Sequence, residues 1–489
     1  MKLSSLIWGT GVSRIDGGPD CDIGGVCADS RYAVAGDVFI AVRGCGADGH
    51  KFIPEAVSKG VKAVAAENRP AMEGLPAGVA LLLAEDTRAA AGRLAAGFYG
   101  LPSSRLKVAG ITGTNGKTTL TYLLEHILSC SGHKAGVIGT VNYRLGKEVL
   151  PSSNTTPGAI ELQKLLSMMV SGGASYAVME VSSHALDQRR TEGTDFHSAI
   201  FTNLTRDHLD YHKTEEEYFK AKSRLFSGLS GNAFCVINTD DSCGRRLAGM
   251  TAAAVNSYGL NKEADFYAGD IKLSVSESSF KLAVRGADCG ERFRSGLVGS
   301  HNVYNALAAA AWALNSGIAI KTLRQALESF SYVPGRLERI DSPDGFSVYV
   351  DYAHTPDALE KVLSSLKQLS SGRIITVFGC GGQRDSLKRP LMGSVVSEFS
   401  DYALITNDNP RSEEPASIIG EIEKGMKSDN YRVVPDRREA IAGALKMAVR
   451  GDIVLVAGKG HEDYQVIGRE KLHFDDREVV RECLRSKRS

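Results

Sequence analysis

The most informative segment of this chain reads Gly113-Thr114-Asn115-Gly116-Lys117-Thr118-Thr119. It follows an apolar run at residues 106–111 and precedes a segment in which leucines and isoleucines recur every three or four positions. This order predicts a strand, a glycine-rich turn and an amphipathic helix. Glycines let backbone N–H groups face phosphate oxygens, and the helix amino terminus adds partial positive charge. The segment therefore predicts a phosphate-binding loop.

All seven loop residues are predicted to bind ATP, and two of their side chains have specific roles. Lys117 is expected to reach the terminal phosphates, and the Thr118 hydroxyl is expected to ligate magnesium. The spacing departs from the usual G-x-x-x-x-G-K-[ST], because only two residues separate Gly113 from Gly116. A glycine-rich turn with a chance lysine is the alternative to this shortened phosphate loop.

Charged residues follow two more strand-like runs. Glu180 lies near the end of the apolar run 176–181, and the carboxyl ends of parallel strands are where ligand-binding groups gather. It is therefore expected to offer magnesium a hard oxygen ligand beside the loop. The next run is followed by two aspartates and two histidines, Asp207, His208, Asp210 and His212. These residues either bind metal or are satisfied structural groups.

The composition limits the class of protein. A length of 489 residues predicts roughly three domains of about 150 residues each. An apolar share of 43%, a charged share of 24% and a net charge of +1 describe a globular protein without a bias toward nucleic acid. The nine cysteines are dispersed without a C-x-x-C pair, which argues against a zinc ribbon and fits a reducing compartment.

No targeting or membrane segment is expected. The apolar stretch near the amino terminus is too short for a signal-peptide core. The longest apolar run covers residues 306–314, whereas about twenty residues are needed to span a bilayer. The chain is therefore predicted to be cytoplasmic, with no membrane insertion and no nucleic-acid partner.

The order of strand-like and helix-like runs predicts an α/β fold in three domains, 1–102, 103–333 and 334–489. The boundaries are placed where residues 100–104 and 333–335 interrupt the pattern with glycine and proline. Helical patterns separate the strands expected in the last domain, at residues 347–351, 373–378, 402–406 and 453–457. Such alternation predicts a parallel sheet wrapped by helices.

Over nearly its whole length the chain resembles the Mur ligases. The matching stretches follow the order and domain placement of the family's motifs. They are Asp29-Ser30-Arg31, residues 113–119, 153–157, 180–184 and 203–212, Lys222, and residues 301–305, 335–338, 351–356, 408–411 and 458–462. Within the family, the resemblance is to the members that add diaminopimelate.

The resemblance implies an ATP- and magnesium-dependent ligase that forms an acyl phosphate and then an amide bond in peptidoglycan biosynthesis. Its substrates are expected to be UDP-N-acetylmuramoyl-L-alanyl-D-glutamate and meso-diaminopimelate. It also implies a first domain for the UDP substrate, a central P-loop ATPase domain with a parallel sheet, and a C-terminal Rossmann-like domain for the amino acid. A monomer is expected.

Carried over residue by residue, the resemblance implies four sets of contacts. The UDP-muramoyl-dipeptide set is Ser30, Cys45, Gly46, Ala47, Asn154, Thr155, Thr156, Ser182, Gln188 and Arg190. Besides the loop, the ATP set is Asn302, Asn305, Arg336, Asp351 and His354. The metal set is Thr118, Glu180, His208 and Lys222, the last as a carbamate. The diaminopimelate set is Arg384, Asp408, Asn409, Pro410, Arg411, Gly458 and Glu462.

Catalytic roles are expected for Lys117, Glu180, His208 and Lys222. For Lys222 the alternative is an ordinary surface charge in a helical pattern. A free ammonium beside magnesium would be repelled, whereas a carbamylated lysine carries a carboxylate that can bind the metal.

The diaminopimelate set includes one departure from the family. Mur ligases usually have Gly-Gly-Asp-Arg-Asp where this chain has Gln383 in the third position, followed by the retained Arg384. A carboxylate is therefore lost. Arg411 is expected to hold the distal carboxylate of diaminopimelate with two parallel hydrogen bonds. Its alternative is a surface ion pair with Glu413 or Glu414.

Four other functions are alternatives to this prediction. One is the same reaction with L-lysine as the added amino acid. Folylpolyglutamate synthase shares the phosphate loop, but the long first domain and the uridine-site matches argue against it. A P-loop NTPase switch and a non-catalytic nucleotide-binding scaffold belong to different classes. ATP hydrolysis that needs both an acyl substrate and an amine would distinguish a ligase from these two.

Overall fold

The strands of the computed structural model form three main sheets and one small hairpin. The structure describes residues 1–16, 20–44, 46–68 and 74–486. The three sheets follow one another along the chain without exchanging strands. We propose domain boundaries at 102/103 and 333/334, because both positions lie between one sheet and the next.

The first unit is a small α/β layer. Its helices and strands are α1 (Leu3–Ile7), β1 (Ser13–Asp16), β2 (Gly25–Cys27), β3 (Asp37–Ile40), α2 (Ile53–Ser58), β4 (Ala63–Ala66), β5 (Ala80–Leu83) and α3 (Thr87–Phe98), with 3-10 turns at Ser30–Tyr32, Gly49–Phe52 and Pro102–Ser104. The sheet order is β1-β5-β4-β3-β2, and only β1 is antiparallel to its neighbour. The Asp86 carboxylate caps the alanine-rich α3 by accepting hydrogen bonds from two backbone N–H groups.

The central unit is the largest. Its elements are β6 (Lys107–Thr112), α4 (Lys117–Cys130), β7 (Ala135–Ile138), β8 (Asn142–Leu145), β9 (Glu148–Pro151), α5 (Ala159–Ser171), β10 (Tyr176–Glu180), α6 (Ser183–Asp187), β11 (Phe196–Phe201), α7 (Leu209–His212), α8 (Glu215–Ser227), β12 (Phe234–Asn238), α9 (Ser242–Ala248), β13 (Ala254–Gly259), β14 (Phe266–Leu273), β15 (Ser278–Val284), β16 (Ala287–Ser295), α10 (Ser300–Asn315) and α11 (Ile320–Ser329). The sheet order is β16-β15-β14-β13-β12-β11-β6-β10-β7-β8-β9.

The core of the central unit explains the pattern of its sequence. The predicted leucines and isoleucine of α4 are buried, and they pack with the alanine-rich α10 against the sheet. Trp312 of α10 is fully buried, and its indole N–H donates to the Ser198 hydroxyl at 2.8 Å. This hydrogen bond satisfies the indole N–H, which would otherwise be buried without a partner.

The last unit is a second doubly wound layer. Its elements are β17 (Glu338–Asp341), β18 (Ser347–Asp351), α12 (Pro356–Leu369), β19 (Ile374–Phe378), α13 (Lys388–Phe399), β20 (Tyr402–Ile405), α14 (Pro415–Glu423), β21 (Tyr431–Val433), α15 (Arg437–Met447), β22 (Ile453–Ala457), β23 (Tyr464–Ile467), β24 (Glu470–His473) and α16 (Asp476–Ser486). The main sheet has the order β17-β18-β22-β19-β20-β21, with only β17 antiparallel. β23 and β24 form the hairpin.

The predicted elements agree with these bounds to within one or two residues, and the α/β class is confirmed. The central sheet is parallel in its middle, as predicted, but it continues into antiparallel strands at both edges, β8–β9 on one side and β15–β16 on the other. These edges were not predicted. Within the described ranges, no helix combines the length and apolar character that crossing a bilayer requires.

The parallel topology determines where ligand-binding loops can meet. Loops after β6, β10 and β11 leave the same edge of the central sheet, because these strands are parallel neighbours. In the last unit, the loops after β18, β19, β20 and β22 share an edge for the same reason. The predicted site residues of the central and last units lie mostly in these loops.

Candidate functional site

The turn between β6 and α4 has backbone conformations that require glycine. Gly113 has φ +145° and Gly116 has φ +90°. A Cβ atom on Gly113 would lie 1.9 Å from the Thr202 hydroxyl, and one on Gly116 would lie 2.6 Å from the Asn305 side-chain oxygen. The Thr202 hydroxyl also donates to the Asn115 carbonyl at 2.6 Å. The loop is therefore shaped by its glycines and by the segment that follows β11.

Two lysine ammonium groups converge on this loop. Lys117 Nζ donates to the carbonyls of Gly113 at 2.9 Å and Thr114 at 2.8 Å. Lys222 Nζ donates to the same Gly113 carbonyl at 2.9 Å and lies over the Tyr218 ring. Burial lowers the pKa of both lysines, and the Lys117 charge lowers that of Lys222 further. Lys222 is 1% exposed, so the alternative of a surface charge is wrong.

Glu180 is buried beside the helix that follows the loop. Its carboxylate accepts hydrogen bonds from the Thr118 hydroxyl at 3.0 Å, from Thr140 N at 2.9 Å and from the Thr140 hydroxyl at 3.1 Å. From the last unit, Arg336 donates to the Thr118 hydroxyl at 3.2 Å. Two of the predicted metal ligands, Thr118 and Glu180, are therefore in direct contact.

His208 stands at the start of α7 in a left-handed conformation, with φ +55°. Its Nε2 atom lies 3.6 Å from the Asp207 carboxylate, and its ring is 4.9 Å from that of His184. Burial lowers the pKa of His208, against the opposing effect of Asp207. A neutral imidazole is the form that binds a metal.

The donor atoms around the loop include hard oxygen ligands of the kind that magnesium prefers. In the part of the chain that the structure describes, no three histidine, cysteine, aspartate or glutamate side chains are arranged to hold a metal ion. Magnesium is commonly bound by one or two carboxylates together with phosphate oxygens and water. The contacting Thr118 hydroxyl and Glu180 carboxylate fit that chemistry, because both are hard oxygen donors next to the phosphate loop.

The last unit touches the phosphate loop through Asp357 at the start of α12. One oxygen of its carboxylate accepts hydrogen bonds from Asn115 at 3.0 Å, Thr205 at 2.9 Å and Lys361 at 3.0 Å. This residue was missed by sequence reasoning. The available signal was its position directly after the 351–356 motif and at the amino terminus of a predicted helix. The contact holds the third unit against the loop.

The remaining predicted ATP residues lie around the same junction. Asp351 accepts hydrogen bonds from Leu337 N at 2.6 Å and Ala353 N at 2.7 Å, and burial raises its pKa. Its carboxylate thus supports the segment that carries Arg336, whose guanidinium lies over the Tyr352 ring. The neighbouring His354 is exposed, and its Nδ1 lies 2.7 Å from the Tyr352 carbonyl.

Asn302 and Asn305 are buried at the start of α10. The Asn302 amide donates to the Val298 carbonyl at 2.8 Å, and the Asn305 amide donates to the Asn302 side-chain oxygen at 2.9 Å. Asn305 also lies against Gly116. These two residues were predicted to lie near the nucleotide base, and in the structure they brace the phosphate loop itself. Contact with the base stays a prediction.

A cavity of about 810 Å³ lies between the first and central units. Four predicted UDP-substrate residues line it: Ser30, Ala47, Gln188 and Arg190. Gly46 adjoins Ala47 without lining the cavity, and Cys45 lies outside the described residues. The Ser30 hydroxyl donates to the Glu55 carboxylate at 2.7 Å, so Glu55 is an additional polar group of this wall.

The other predicted substrate residues connect this cavity to Glu180. The fully buried Thr156 hydroxyl donates to the Glu180 carbonyl at 2.9 Å and accepts from Ser182 N at 3.0 Å. The Thr155 hydroxyl lies 3.0 Å from the Thr140 hydroxyl, which itself contacts the Glu180 carboxylate. Thr156 therefore supports the strand end, and the exposed Asn154 is better placed to meet a substrate.

Loops of the last unit bring the predicted diaminopimelate residues together. Arg411 Nη1 donates to the Gly382 carbonyl at 2.8 Å, and the Asn409 amide donates to Glu462 at 2.9 Å. A Cβ atom on Gly458 would lie 2.6 Å from the Asp408 carboxylate, and one on Gly382 would lie 2.0 Å from the Pro410 carbonyl. The loops after β19, β20 and β22 are therefore in van der Waals contact.

The structure gives Arg411 no acidic partner within the described residues, so the alternative of an ion pair with Glu413 or Glu414 is absent. Glu413 is occupied elsewhere, since it pairs with the buried Arg389 at 2.9 Å and accepts a hydrogen bond from the Gln383 backbone N–H. Glu413 thus supplies a carboxylate to the loop in which the family's usual aspartate is replaced. Arg384 is exposed at the mouth of this loop.

Three family models match the chain: the Mur ligase middle domain at residues 111–313, the glutamate ligase domain of Mur ligases at 335–460, and the catalytic domain of the Mur ligase family at 22–99. The fold and the site are those of a nucleotide-dependent ligase, and the chain belongs to the Mur ligase family.

Similar proteins within the family are more specific. The UDP-N-acetylmuramoyl-L-alanyl-D-glutamate–2,6-diaminopimelate ligase of Geobacter metallireducens is 44% identical over 508 residues, covering 99% of this chain and 98% of that protein. A solved structure of a ligase with the same description is 33% identical, with a TM-score of 0.70 and 96% of both chains covered. The MurF ligase of Thermotoga maritima, solved with ADP, shares the fold at 21% identity and a TM-score of 0.64, covering 95% of this chain and 98% of that one.

Proposed function

We propose that this chain is an ATP-dependent ligase that joins meso-diaminopimelate to UDP-N-acetylmuramoyl-L-alanyl-D-glutamate in peptidoglycan biosynthesis. The observation that carries the proposal is the cluster of loops after β19, β20 and β22, where Arg411 bonds only to backbone carbonyls among the described residues and Glu462 accepts a hydrogen bond from the Asn409 amide. A cation and an anion in one cluster of loops suit an amino acid that brings a carboxylate and an ammonium at its far end. Full-length similarity to ligases of that description supports the same substrate.

The reaction joins two anions before it forms the amide. The substrate carboxylate attacks the γ-phosphate of ATP, ADP leaves, and the amine of diaminopimelate then displaces phosphate from the acyl carbon. Lys117 stabilises the charge that develops on the transferred phosphoryl group. The contact between Asp357 and the phosphate loop holds the last unit over this site, which excludes water from the hydrolysable acyl phosphate.

Thr118, Glu180 and His208 are the residues that would hold magnesium, together with Lys222 if it is carbamylated. Bound there, the ion would neutralise the phosphate charges that oppose attack by a carboxylate. The protein's own contribution is orientation. Thr140 donates two hydrogen bonds to Glu180, and Thr118 donates a third, so the carboxylate is held in place before any ligand binds.

The buried amine of Lys222 is a candidate for carbamylation. A carbamate forms when a neutral amine adds CO₂ and releases a proton, so a lysine without a carboxylate partner is suited to the reaction. In the described part of the chain, Lys222 Nζ donates to the Gly113 carbonyl and forms no ion pair. The modification would place a carboxylate beside the loop and replace the repulsion between two ammonium groups with attraction.

Replacing Lys222 with alanine is expected to make the enzyme nearly inactive, because the carboxylate beside the loop is lost. Short carboxylates such as formate or acetate are expected to restore part of the activity by standing in for the carbamate. Product formation should be measured with and without added carboxylate. Lys220→Ala is the matched control, since Lys220 is an exposed lysine of the same helix. Full activity of Lys222→Ala would disprove the assignment.

The substrate is best tested by mass spectrometry of the product. The protein would be incubated with ATP, the UDP-muramoyl-dipeptide and an equimolar mixture of meso-diaminopimelate and L-lysine. The expected result is a product that carries diaminopimelate, with ADP formed only when both acceptor and amine are present. A lysine product would move the assignment to the lysine-adding reaction, and ADP release without either substrate would indicate an NTPase switch.

Cellular location and assembly belong to the same proposal. The eight cysteines that the structure describes are all free thiols, which fits a reducing compartment. We propose that the enzyme acts in the cytoplasm as a monomer.

A further inference from the structure

Lys459 is a completely buried lysine that the reaction described above does not use. Its side chain is 0% exposed and lies in the loop after β22. The flanking glycines leave it little freedom, because a Cβ on Gly458 would lie 2.6 Å from the Asp408 carboxylate, and one on Gly460 would lie 2.7 Å from Tyr352. The loop is thus pressed between two neighbouring loops, with the Lys459 side chain pointing inward.

The ammonium of Lys459 contacts two residues of the predicted diaminopimelate set, Glu462 and Asn409. Its Nζ lies 3.6 Å from Glu462 Oε2 and 3.5 Å from the Asn409 side-chain oxygen, and it also donates to the Tyr464 carbonyl. Glu462 is the only carboxylate at ion-pair distance among the described residues. Burying an ammonium is costly unless it is paired. The ion pair with Glu462 therefore explains why a lysine can be buried at this position.

The contacts among the described residues leave one carboxylate oxygen of Glu462 without a short hydrogen bond. Oε2 is held by both Lys459 and the Asn409 amide, the latter at 2.9 Å. Within the described ranges, Oε1 has only a long contact of 3.4 Å with the Tyr352 hydroxyl. The Glu462 side chain is 18% exposed, so a ligand can reach it. The open oxygen is where the ammonium of an incoming amino acid would bind.

Burial and a neighbouring carboxylate both disfavour the ionised form of Glu462, and Lys459 opposes them. Burial raises the pKa of Glu462, and the nearby Asp408 carboxylate raises it further. Lys459 and the Asn409 amide oppose that shift. Of the other groups packed near Glu462, the Tyr352 and Tyr464 phenols are neutral, and the Arg437 cation is already paired with Asp476.

We infer that Lys459 is a positioning residue for the added amino acid: it orients Glu462 and Asn409 so that the Glu462 carboxylate receives the ligand's ammonium. It does not touch the reacting atoms. The inference rests on the proposed function, because it assumes that an amino acid is added in this pocket. It assigns to the lysine of the 458–462 motif a role in binding the amine, separate from acyl-phosphate formation.

The test compares Lys459→Met and Lys459→Gln with wild type. Both variants are expected to raise the KM for diaminopimelate by about tenfold or more, the scale on which loss of an orienting partner weakens a site. Borohydride trapping of the acyl phosphate should stay at the wild-type level. Lys471→Met is the matched control, because Lys471 lies over the same Tyr464 ring from the exposed hairpin. It should leave both measurements unchanged.

The pH dependence separates positioning from a merely structural role. Removing Lys459 raises the pKa of Glu462, so the carboxylate is lost at a higher pH than in wild type. The ratio of kcat/KM for variant over wild type should therefore fall as the pH falls, and this ratio cancels the ionisation of the substrate amine. A ratio that is constant with pH, or an unchanged KM in folded variants, would overturn the inference.

Two further results keep the test decisive. If the single variants do not fold, Lys459→Met with Glu462→Gln should fold, because the uncompensated carboxylate is removed together with its partner. Failure of this double variant would show that the lysine acts only through the Tyr464 carbonyl, against the inference. If wild-type enzyme adds L-lysine instead of diaminopimelate, the proposed substrate is wrong, and the role of Lys459 is measured with L-lysine as the amine.

Discussion

Lys117→Ala is expected to lower ligation at least ~10²-fold, the scale for loss of one preorganised charge-stabilising group. The fold should be intact, because the loop is shaped by glycines with positive φ and by the Thr202 hydroxyl bonded to the Asn115 carbonyl. Among the residues that the structure describes, the Lys117 ammonium bonds only to the Gly113 and Thr114 carbonyls of the loop itself. Turnover and the thermal unfolding temperature should both be measured. Turnover should fall, and the unfolding temperature should stay at the wild-type value.

A matched control for this variant is Lys134→Ala. Lys134 follows the same helix, and its Nζ also donates to a backbone carbonyl, that of Gly172, at 2.7 Å. It lies away from the loop and should keep wild-type turnover. If Lys117→Ala folds and retains more than a tenth of the wild-type turnover, the assignment of this segment as a phosphate loop is wrong.

The phosphate loop was predictable because its signals are local. A strand, two glycines and a helix with apolar positions at intervals of three and four follow directly from residues 106–128. The same holds for the last unit, where strands and helices alternate regularly. Short-range signals of this kind depend on backbone geometry and side-chain periodicity, which a sequence displays without any knowledge of tertiary contacts.

The antiparallel edges of the central sheet were not predictable in the same way. β14 and β15 pair with a shift in register, and Asp270 within β14 has φ +46°. Such irregular, half-exposed strands lack the clean alternation that marks a strand. Their direction depends on which neighbour they meet, and that choice is made by contacts between residues far apart in sequence.

The burial of individual charged residues could not be predicted from the sequence either. Lys222 and Lys459 look like solvated lysines, yet one lies against the Gly113 carbonyl and the other against Glu462. A helical or loop pattern says little about which face is covered by another element. The resemblance to a family pointed to Lys222, whereas Lys459 and Asp357 emerged only from the contacts.

The loss of the family's aspartate at Gln383 has a physical resolution that no local pattern could supply. Glu413, which sequence reasoning considered only as a surface partner for Arg411, accepts the Gln383 N–H and pairs with the buried Arg389. Thirty positions separate Gln383 from Glu413, and the two meet because the loops after β19 and β20 share an edge. The carboxylate is displaced to a neighbouring loop.

Arg411→Ala is expected to remove the preference for diaminopimelate over L-lysine. Wild-type enzyme should prefer diaminopimelate on the order of 10⁴-fold, because lysine lacks the distal carboxylate that would pair with the half-buried Arg411. Arg411 is available for that carboxylate, since its Nη1 bonds the Gly382 and Asn409 carbonyls and no acid pairs with it in the described chain. Arg411→Lys should fail similarly, because an ammonium cannot form two parallel hydrogen bonds.

Acyl-phosphate formation should be spared in both Arg411 variants, because the phosphate loop and Glu180 lie in the central unit and are untouched. Isotope exchange or borohydride trapping measures that step, and competition between the two amines measures the preference. Arg469→Ala is the control, an exposed arginine in the turn between β23 and β24 of the same unit. If wild-type enzyme accepts L-lysine as readily as diaminopimelate, or if Arg411→Ala keeps the wild-type preference, the substrate assignment fails. The ligase assignment would still stand, since it depends on the acyl phosphate and on a different set of side chains.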